Sequence, residues 1–438
     1  MKNFLAATTS SAILLLIAGY VQIAVAQSSS SANAPATDVA ATESAAQDWL
    51  SWRGPNHNGI VENQSPPIKW DRDQNVLWKT KLPGSGHASP TIVGNRILLA
   101  TAVEKTQTQS VVAFDRSTGK QLWSTDLHVG KLTKKIHKKN TYASQTVVSD
   151  GKLAFAVFEN DGKIWVTALD LDGNKAWQKS VGNYRSGLEF GFGTSPNLQD
   201  GKLLVTSESE AESFLLALNP SDGTEIYRID RGNKSSYSVP VIATVAGKPQ
   251  LLLSGLNTVQ GYDPETGESL WSAPTKWQFS CGTMVVHEDL AFASGGYPGK
   301  QTLAVRADGS GEIVWQNPIK VYEQSMIVVD GYLYGLAEKG IMYCWRCSDG
   351  KEMWKERLQG PESASPVLAG GHLYLTNEIG TTFVLKPNPE KMEMVAKNQL
   401  GDSSFASMAM VDNRIYTRVA HIDDNNKRVE WLYCLGAE

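Results

Sequence analysis

One phrase returns along the whole chain and constrains its fold more than any other feature. Its clearest copy, residues 112–123, reads as an apolar strand, a tight turn at 117–119 and a second strand that carries a tryptophan. The aromatic residue of the phrase recurs at Trp123, Trp177, Tyr227, Trp271, Trp315 and Trp354. Repeats of roughly 40–45 residues with strand and turn signals are typical of propeller blades.

Two further strands precede each copy of the phrase. Gly94-Asn95 joins the first such pair, and Asp-Gly or Gly-Gly stands in the same place at residues 150, 200, 330 and 370. These dipeptides favour two-residue hairpins, because such turns need positive φ angles. Each unit therefore predicts four antiparallel strands, which form one blade.

The two ends of the repeat array complement each other. Residues 76–82 resemble a fourth strand without its first three, whereas residues 407–411, 414–418 and 430–435 resemble three strands without a fourth. Pairing them would remove two open sheet edges. We therefore predict an all-β fold, an eight-bladed β-propeller of four-stranded antiparallel blades, closed by the N-terminal strand pairing with the C-terminal blade.

The N-terminal residues predict export. Lys2 precedes an apolar run that ends in Ala24-Val25-Ala26, the small residues of a cleavage site. Residues 1–26 are predicted to be a signal peptide, residues 27–48 a disordered Ser/Ala-rich tether, and residues 49–438 a single propeller domain. The mature chain is then expected in the periplasm or outside the cell, without a transmembrane segment. An uncleaved membrane anchor is the alternative for the apolar run.

Charge and cysteine content exclude several classes of function. Charged residues make up 20% of the chain and its formal net charge is −4, which argues against a nucleic-acid partner. The Cys344-x-x-Cys347 pair lies on a predicted strand, where three extended steps span about 10 Å, beyond the roughly 7 Å that a disulfide tolerates. No second such pair is present for zinc. We expect a monomer without a metal site.

Loops between blades converge on one mouth of the central channel. Aromatic, cationic and acidic residues from different blades there are typical of a ligand pocket, and our channel-mouth candidates are His87, Tyr142, Arg185, Glu189, Tyr237, Trp277 and Glu323. The longest loop, residues 128–140, supplies candidates for binding an anionic partner, namely Lys131, Lys134, Lys135, Lys138 and Lys139. A solvated charge run is the alternative for these lysines. No nucleophile–base pair stands out, so no catalytic residue is predicted.

The phrase Ala-x-Asp-x-x-Thr-Gly-Lys-x-x-Trp of residues 113–123 resembles the tryptophan-docking repeat of the pyrroloquinoline-quinone (PQQ) dehydrogenase propellers, in the quinoprotein alcohol dehydrogenase-like superfamily. Trp52-Arg53-Gly54-Pro55 with Asn58-Gly59 looks like exported PQQ-like repeat proteins and, more loosely, is similar to the BamB component of outer-membrane assembly. The resemblance covers residues 49–438. It implies that the repeat tryptophans pack between neighbouring blades, at Trp78, Trp123, Trp177, Trp271, Trp315 and Trp354.

This resemblance implies two possible functions. The dehydrogenases resemble one another in a vicinal cysteine pair, a Ca²⁺ site and a catalytic Asp, whereas this chain has no adjacent cysteines. We therefore predict an exported, non-catalytic binding or scaffold protein of the bacterial cell envelope, with an envelope protein or glycan as partner and no cofactor. The alternative is a PQQ-dependent dehydrogenase that oxidises alcohols or sugars, with PQQ and Ca²⁺ at the channel mouth.

Overall fold

The structure is a computed structural model and describes residues 48–437. The predicted signal peptide and, apart from Asp48, the predicted tether lie outside the described residues. Within them the chain forms 34 strands and one short 3-10 helix, Glu104–Thr106. The strands form eight sheets arranged as blades.

In blades 1 to 4, four strands follow one another in chain order, and the first borders the central channel. Blade 1 contains Thr91–Val93, Arg96–Val103, Thr108–Asp115 and Gln121–Val129. Blade 2 contains Val148–Ser149, Leu153–Asn160, Lys163–Asp170 and Lys175–Asn183. Blade 3 contains Asn197–Gln199, Lys202–Glu208, Ser213–Leu218 and Glu225–Gly232. Blade 4 contains Val241–Val245, Lys248–Gly255, Thr258–Tyr262 and Ser269–Pro274.

Blades 5 to 8 include two additional short strands. Blade 5 contains Trp277–Phe279, Val285–His287, Leu290–Pro298, Gln301–Arg306 and Ile313–Asn317. Blade 6 contains Ile327–Val329, Tyr332–Ala337, Ile341–Arg346 and Glu352–Arg357. Blade 7 contains Val367–Ala369, His372–Thr376, Thr381–Lys386 and Glu393–Gln399, and Ile60–Val61 joins it in parallel. Blade 8 contains Ala409–Val411, Arg414–Ile422, Arg428–Leu435 and Val76–Lys81.

Blade 8 closes the ring with strands from both ends of the array. Val76–Lys81 pairs antiparallel with Arg428–Leu435, so that Trp78 lies opposite Cys434. The eight-bladed, all-β fold and its closure are thus confirmed. Inside the closing blade, Arg418 forms a fully buried ion pair with Glu430 and donates from Nη1 to the Ala100 carbonyl of blade 1 at 2.8 Å.

Most repeat tryptophans dock on the turn of the next blade. Five of the six indoles donate from Nε1 to a backbone carbonyl there at 2.7–3.2 Å, namely Trp78, Trp123, Trp177, Trp315 and Trp354. Trp271 instead donates to Gln250 Oε1 of its own blade at 2.6 Å. Its strand neighbour is Gly261, where a Cβ would collide with the indole. Ala113 stands at that position beside Trp123.

A belt of hydroxyl groups joins the first strands of the blades. One residue per blade, two positions before the first strand, occupies the belt: Ser89, Thr146, Ser195, Val239, Thr283, Ser325, Ser365 and Ser407. Six belt residues donate their backbone N–H to the hydroxyl of the next blade at 2.9–3.1 Å. Val239 has no hydroxyl, so the belt is interrupted in blade 4.

Residues 49–61, the plug segment, cross one end of the channel. We call this end lower, and the end where each blade connects to the next upper. Trp49 pairs with Ile92 of blade 1, and Ile60–Val61 pairs with blade 7. Arg53 is 3% exposed and donates to the carbonyls of Pro366 and Met326. The plug is therefore fixed to several blades at once.

Candidate functional site

A cavity of about 430 Å³ occupies the channel above the plug segment. Aromatic rings from four loops and from the plug line it, namely Trp52, Phe190, Tyr237, Tyr322 and Phe405. The indole of Trp52 donates to Ser407 Oγ at 3.0 Å. Five belt residues complete the floor, four with a hydroxyl group, at positions 89, 146, 195 and 407, and Val239. The cavity thus has walls of aromatic and polar side chains and a hydroxyl-rich floor.

Every blade contributes one lining residue from the same register position. This position lies two residues before the belt residue, and side chains two apart in an extended chain face the same side. The eight residues are His87, Ser144, Gly193, Tyr237, Cys281, Glu323, Ser363 and Phe405. Aligning the eight blades on the belt and stepping back two residues would have found this ring from the sequence.

Three of the seven predicted channel-mouth residues line the cavity, namely His87, Tyr237 and Glu323. The His87 ring stacks on Phe405 with centroids 4.1 Å apart. Burial, followed by the charges of Arg428 and Arg418, holds the pKa of His87 well below its ordinary value, so the imidazole is neutral. Burial also raises the pKa of the Tyr237 phenol, whose hydroxyl has no hydrogen-bond partner of good geometry among residues 48–437.

The other four predicted mouth residues do not line it. Tyr142 donates to the Thr133 carbonyl at 2.9 Å, and Arg185 donates to the Glu210 carbonyl at 3.3 Å. Glu189 forms an exposed ion pair with Lys135 at 3.5 Å. Trp277 is fully buried in blade 5.

The longest loop crosses the upper mouth, and we call residues 130–140 the mouth strap. Its Lys139 Nζ lies 2.7 Å from Glu378 Oε1 and 3.8 Å from Glu323 Oε1, on blades on the far side of the mouth. Asn140 donates to the Phe190 carbonyl at 2.7 Å. The strap is therefore fastened on two sides of the opening.

The remaining strap lysines divide into two groups. Lys131 pairs with Asp161 at 2.7 Å, and Lys135 pairs with Glu189. Lys134 and Lys138 are exposed and form no ion pair within residues 48–437. Lys134 and Lys138 are thus the two strap lysines without a carboxylate partner in the described part of the chain.

An acidic group surrounds Lys139. Ser363 Oγ lies 2.7 Å from Glu378 Oε1 and also contacts Glu323. Burial, and after it the charge of Glu378, raises the pKa of the neighbouring Glu362 to about 8. Glu362 is therefore mainly protonated at neutral pH, which leaves two carboxylates around one ammonium.

PQQ with Ca²⁺ does not fit these residues. Ca²⁺ takes six to eight oxygen ligands, whereas Glu323 and Glu378 already contact the Lys139 ammonium. No group of three or more His, Cys, Asp or Glu side chains among residues 48–437 is arranged to hold a metal ion.

Cys344 and Cys347 are buried free thiols, and burial raises the pKa of Cys344 to about 11 and the pKa of Cys347 to about 12.

The blades, docked tryptophans and plugged channel define a PQQ-like repeat propeller. A family model described as outer membrane protein assembly factor BamB matches residues 67–190, 162–320 and 299–386, and the chain belongs to this family. The resemblance to PQQ-like and BamB-like propellers is confirmed. Across residues 48–437, no helix has the length and apolar character needed to span a bilayer.

Individual relatives agree with this assignment. Outer membrane protein assembly factor BamB of Yersinia pestis is 25% identical over 342 residues, which cover 74% of this chain and 70% of that protein. The crystal structure of BamB from Moraxella catarrhalis superposes with a TM-score of 0.58 at 14% identity, covering 82% of this chain and 99% of that one. Quinohemoprotein alcohol dehydrogenase from Comamonas testosteroni superposes with a TM-score of 0.66 at 12% identity, covering 91% and 82%. These superpositions show a shared fold.

Proposed function

We propose that this protein is an exported, non-catalytic scaffold of the bacterial cell envelope that holds a protein partner on the upper face of its propeller. The distribution of exposed apolar side chains carries the proposal. Of nine large hydrophobic side chains exposed within residues 48–437, five lie on upper-face loops or strand ends: Val129, Leu188, Tyr297, Ile379 and Ile422. Exposed apolar side chains on one face offer a protein partner apolar surface to bury there.

The surroundings of these side chains support a protein partner. They come from blades 1, 2, 5, 7 and 8 and so are distributed around the mouth. The unpaired Lys134 and Lys138 lie on the mouth strap among them. Apolar contacts with a polar, charged rim are the usual composition of a transient interface. The family's description as an assembly factor supports the same role, and the N-terminal cleavage pattern supports export to the periplasm.

A quinone-dependent dehydrogenase has less support. The dehydrogenase superposition at 12% identity supports only a common fold, and the acids near the mouth are occupied by Lys139. The direct test is to mix the purified protein with PQQ and Ca²⁺. We expect no bound quinone absorbance and no dye reduction with alcohols or sugars. Quinone binding with dye reduction would overturn the non-catalytic assignment.

Site-specific photo-crosslinking in the producing cells tests the partner surface. A photoreactive residue at Leu188 or Tyr297 should form adducts with envelope proteins. The matched controls are Leu122 and Ile226, which are exposed to 48% and 45% but lie on outer strands away from the upper face. Adducts of equal yield from the controls, adducts with glycan only, or none at all would refute the proposed face.

A further inference from the structure

We propose that the cavity floor binds the carboxylate of a small molecule whose apolar body lies between the aromatic walls. The hydroxyl-bearing residues of the floor are Ser407, Ser89, Thr146 and Ser195, at consecutive belt positions of blades 8, 1, 2 and 3, and we call them the hydroxyl arc. This inference goes beyond the proposed partner surface and does not depend on it.

The hydroxyl arc has unused hydrogen-bond donors. Each of its oxygens accepts a backbone N–H at 2.9–3.1 Å, and Ser407 Oγ also accepts the Trp52 indole. A hydroxyl has one hydrogen besides its two lone pairs, and no acceptor within residues 48–437 takes the hydrogen of any of the four. All four residues are at most 5% exposed. Because buried donors are nearly always satisfied, these four hydrogens beside one cavity are donors that an oxygen-rich ligand can use.

Positive charge around the floor selects an anionic acceptor. Arg53 lies beneath the belt at blades 6 and 7, next to the hydroxyl arc in the ring, because it donates to the carbonyls of Met326 and Pro366, which follow the belt residues of these two blades. Its guanidinium contacts no carboxylate in the described part of the chain. Beside the cavity, Arg418 and Arg428 share the single carboxylate of Glu430.

These groups leave a positive excess near the floor, whereas Glu323 on the wall and the neighbouring Glu378 contact the Lys139 ammonium. Charges act more strongly beside a partly enclosed cavity than in bulk water, because the effective dielectric constant is lower there. A carboxylate is therefore favoured at the hydroxyl arc, and an ammonium group is not.

The walls determine the rest of the ligand. Rings of Phe190, Tyr237 and Tyr322 face the cavity, and His87 and Tyr237 are neutral groups able to form hydrogen bonds. A volume of about 430 Å³ is at the small end of ligand pockets. These features fit an aromatic or branched apolar body with one acidic end.

Phenylacetate, phenylacetamide and phenethylamine are suitable probes, because they share a ring and differ in the charge of one end. Titration of the full chain by calorimetry at low salt should give at least tenfold tighter binding for phenylacetate than for phenylacetamide, and no binding for phenethylamine. Equal or tighter binding of the amide or the amine, or no binding of phenylacetate, would overturn the proposal.

A matched pair of variants places the ligand. Ser195 and Ser365 each accept one belt N–H at 2.9 Å, but only Ser195 lines the cavity. We expect Ser195→Ala to weaken phenylacetate binding about tenfold, the loss of one hydrogen bond to a charged group, and Ser365→Ala to leave it unchanged. If Ser195→Ala folds poorly, Thr146→Val provides a second test. It keeps the shape of the side chain and should also weaken phenylacetate binding about tenfold. Equal weakening by Ser365→Ala would assign the effect to belt distortion and refute contact with the floor.

Discussion

Removing the Arg418 guanidinium should open the ring at its closing blade. The side chains of Arg418 and Glu430 are 2% and 1% exposed, and their ion pair lies beside the strand that joins the two ends of the array. Loss of one partner from a buried pair leaves the other charge unsatisfied, which costs about 3–5 kcal/mol. The variant Arg418→Met also loses the bond to the Ala100 carbonyl of blade 1. We therefore expect a decrease in the free energy of unfolding of about 3–5 kcal/mol.

Urea titration followed by tryptophan fluorescence measures this loss, and hydrogen exchange locates it. The backbone N–H of Leu82 donates to the Glu430 carbonyl at 2.8 Å, so exchange of this amide reports on ring closure. The exposed pair Lys355–Glu352 provides the control, since Lys355→Met should cost no more than about 1 kcal/mol. A loss of no more than about 1 kcal/mol for Arg418→Met would refute the reasoning. So would hydrogen exchange that increases first in a blade other than blade 8.

Three further outcomes follow from the geometry. Gly173→Ala should destabilise the protein more than Gly151→Ala. The φ angles of these glycines are +90° and +85°, and a positive φ costs about 1–2 kcal/mol for other residues. Only at Gly173 does an added Cβ also meet the Trp123 ring, at 2.7 Å, so thermal melting should show a larger loss for Gly173→Ala. Trp123→Phe should lower the free energy of opening at its blade junction by about 1–2 kcal/mol more than Trp271→Phe does, because the Trp123 indole donates to the next blade. Hydrogen exchange at the two junctions measures this difference, and an equal loss of protection at both would contradict the prediction. Because the pKa of Glu362 is raised from 4.5 to about 8, the folded state binds more protons than the unfolded state between these pH values. The free energy of unfolding should therefore fall as pH rises, by at most about 1.4 kcal/mol per pH unit. Glu362→Gln should flatten this slope in urea titrations at pH 5 and pH 8, and an unchanged slope would contradict the raised pKa of Glu362.

The fold was accessible from the sequence because its signals are local. Turn dipeptides and the tryptophan phrase recur within each blade, and each reports a structure formed by neighbouring residues. The closing strand was also predictable, since residues 76–82 resemble a fourth strand without the first three, and residues 407–435 supply three strands without a fourth. Trp271 shows the limit of this reasoning. Its phrase resembles the others, but the absence of a Cβ at Gly261 lets the indole lie over its own blade.

The candidate site was only partly accessible. His87, Tyr237 and Glu323 occupy the register position that faces the channel, whereas Arg185 and Glu189 lie in a loop whose path the sequence does not specify. Contacts across the mouth could not be predicted either. Lys139 meets Glu378 across 239 residues of sequence, a pairing that depends on the assembled ring.

Ring closure by strands from opposite ends has a consequence during synthesis. A ribosome makes the strand Val76–Lys81 long before its partner Arg428–Leu435. Until then the early strand keeps an unpaired edge, which is a surface for aggregation and for chaperones. Chains in which Arg428–Leu435 has not yet been made therefore lack the pairing that closes the ring, and the edge of Val76–Lys81 stays open to other strands.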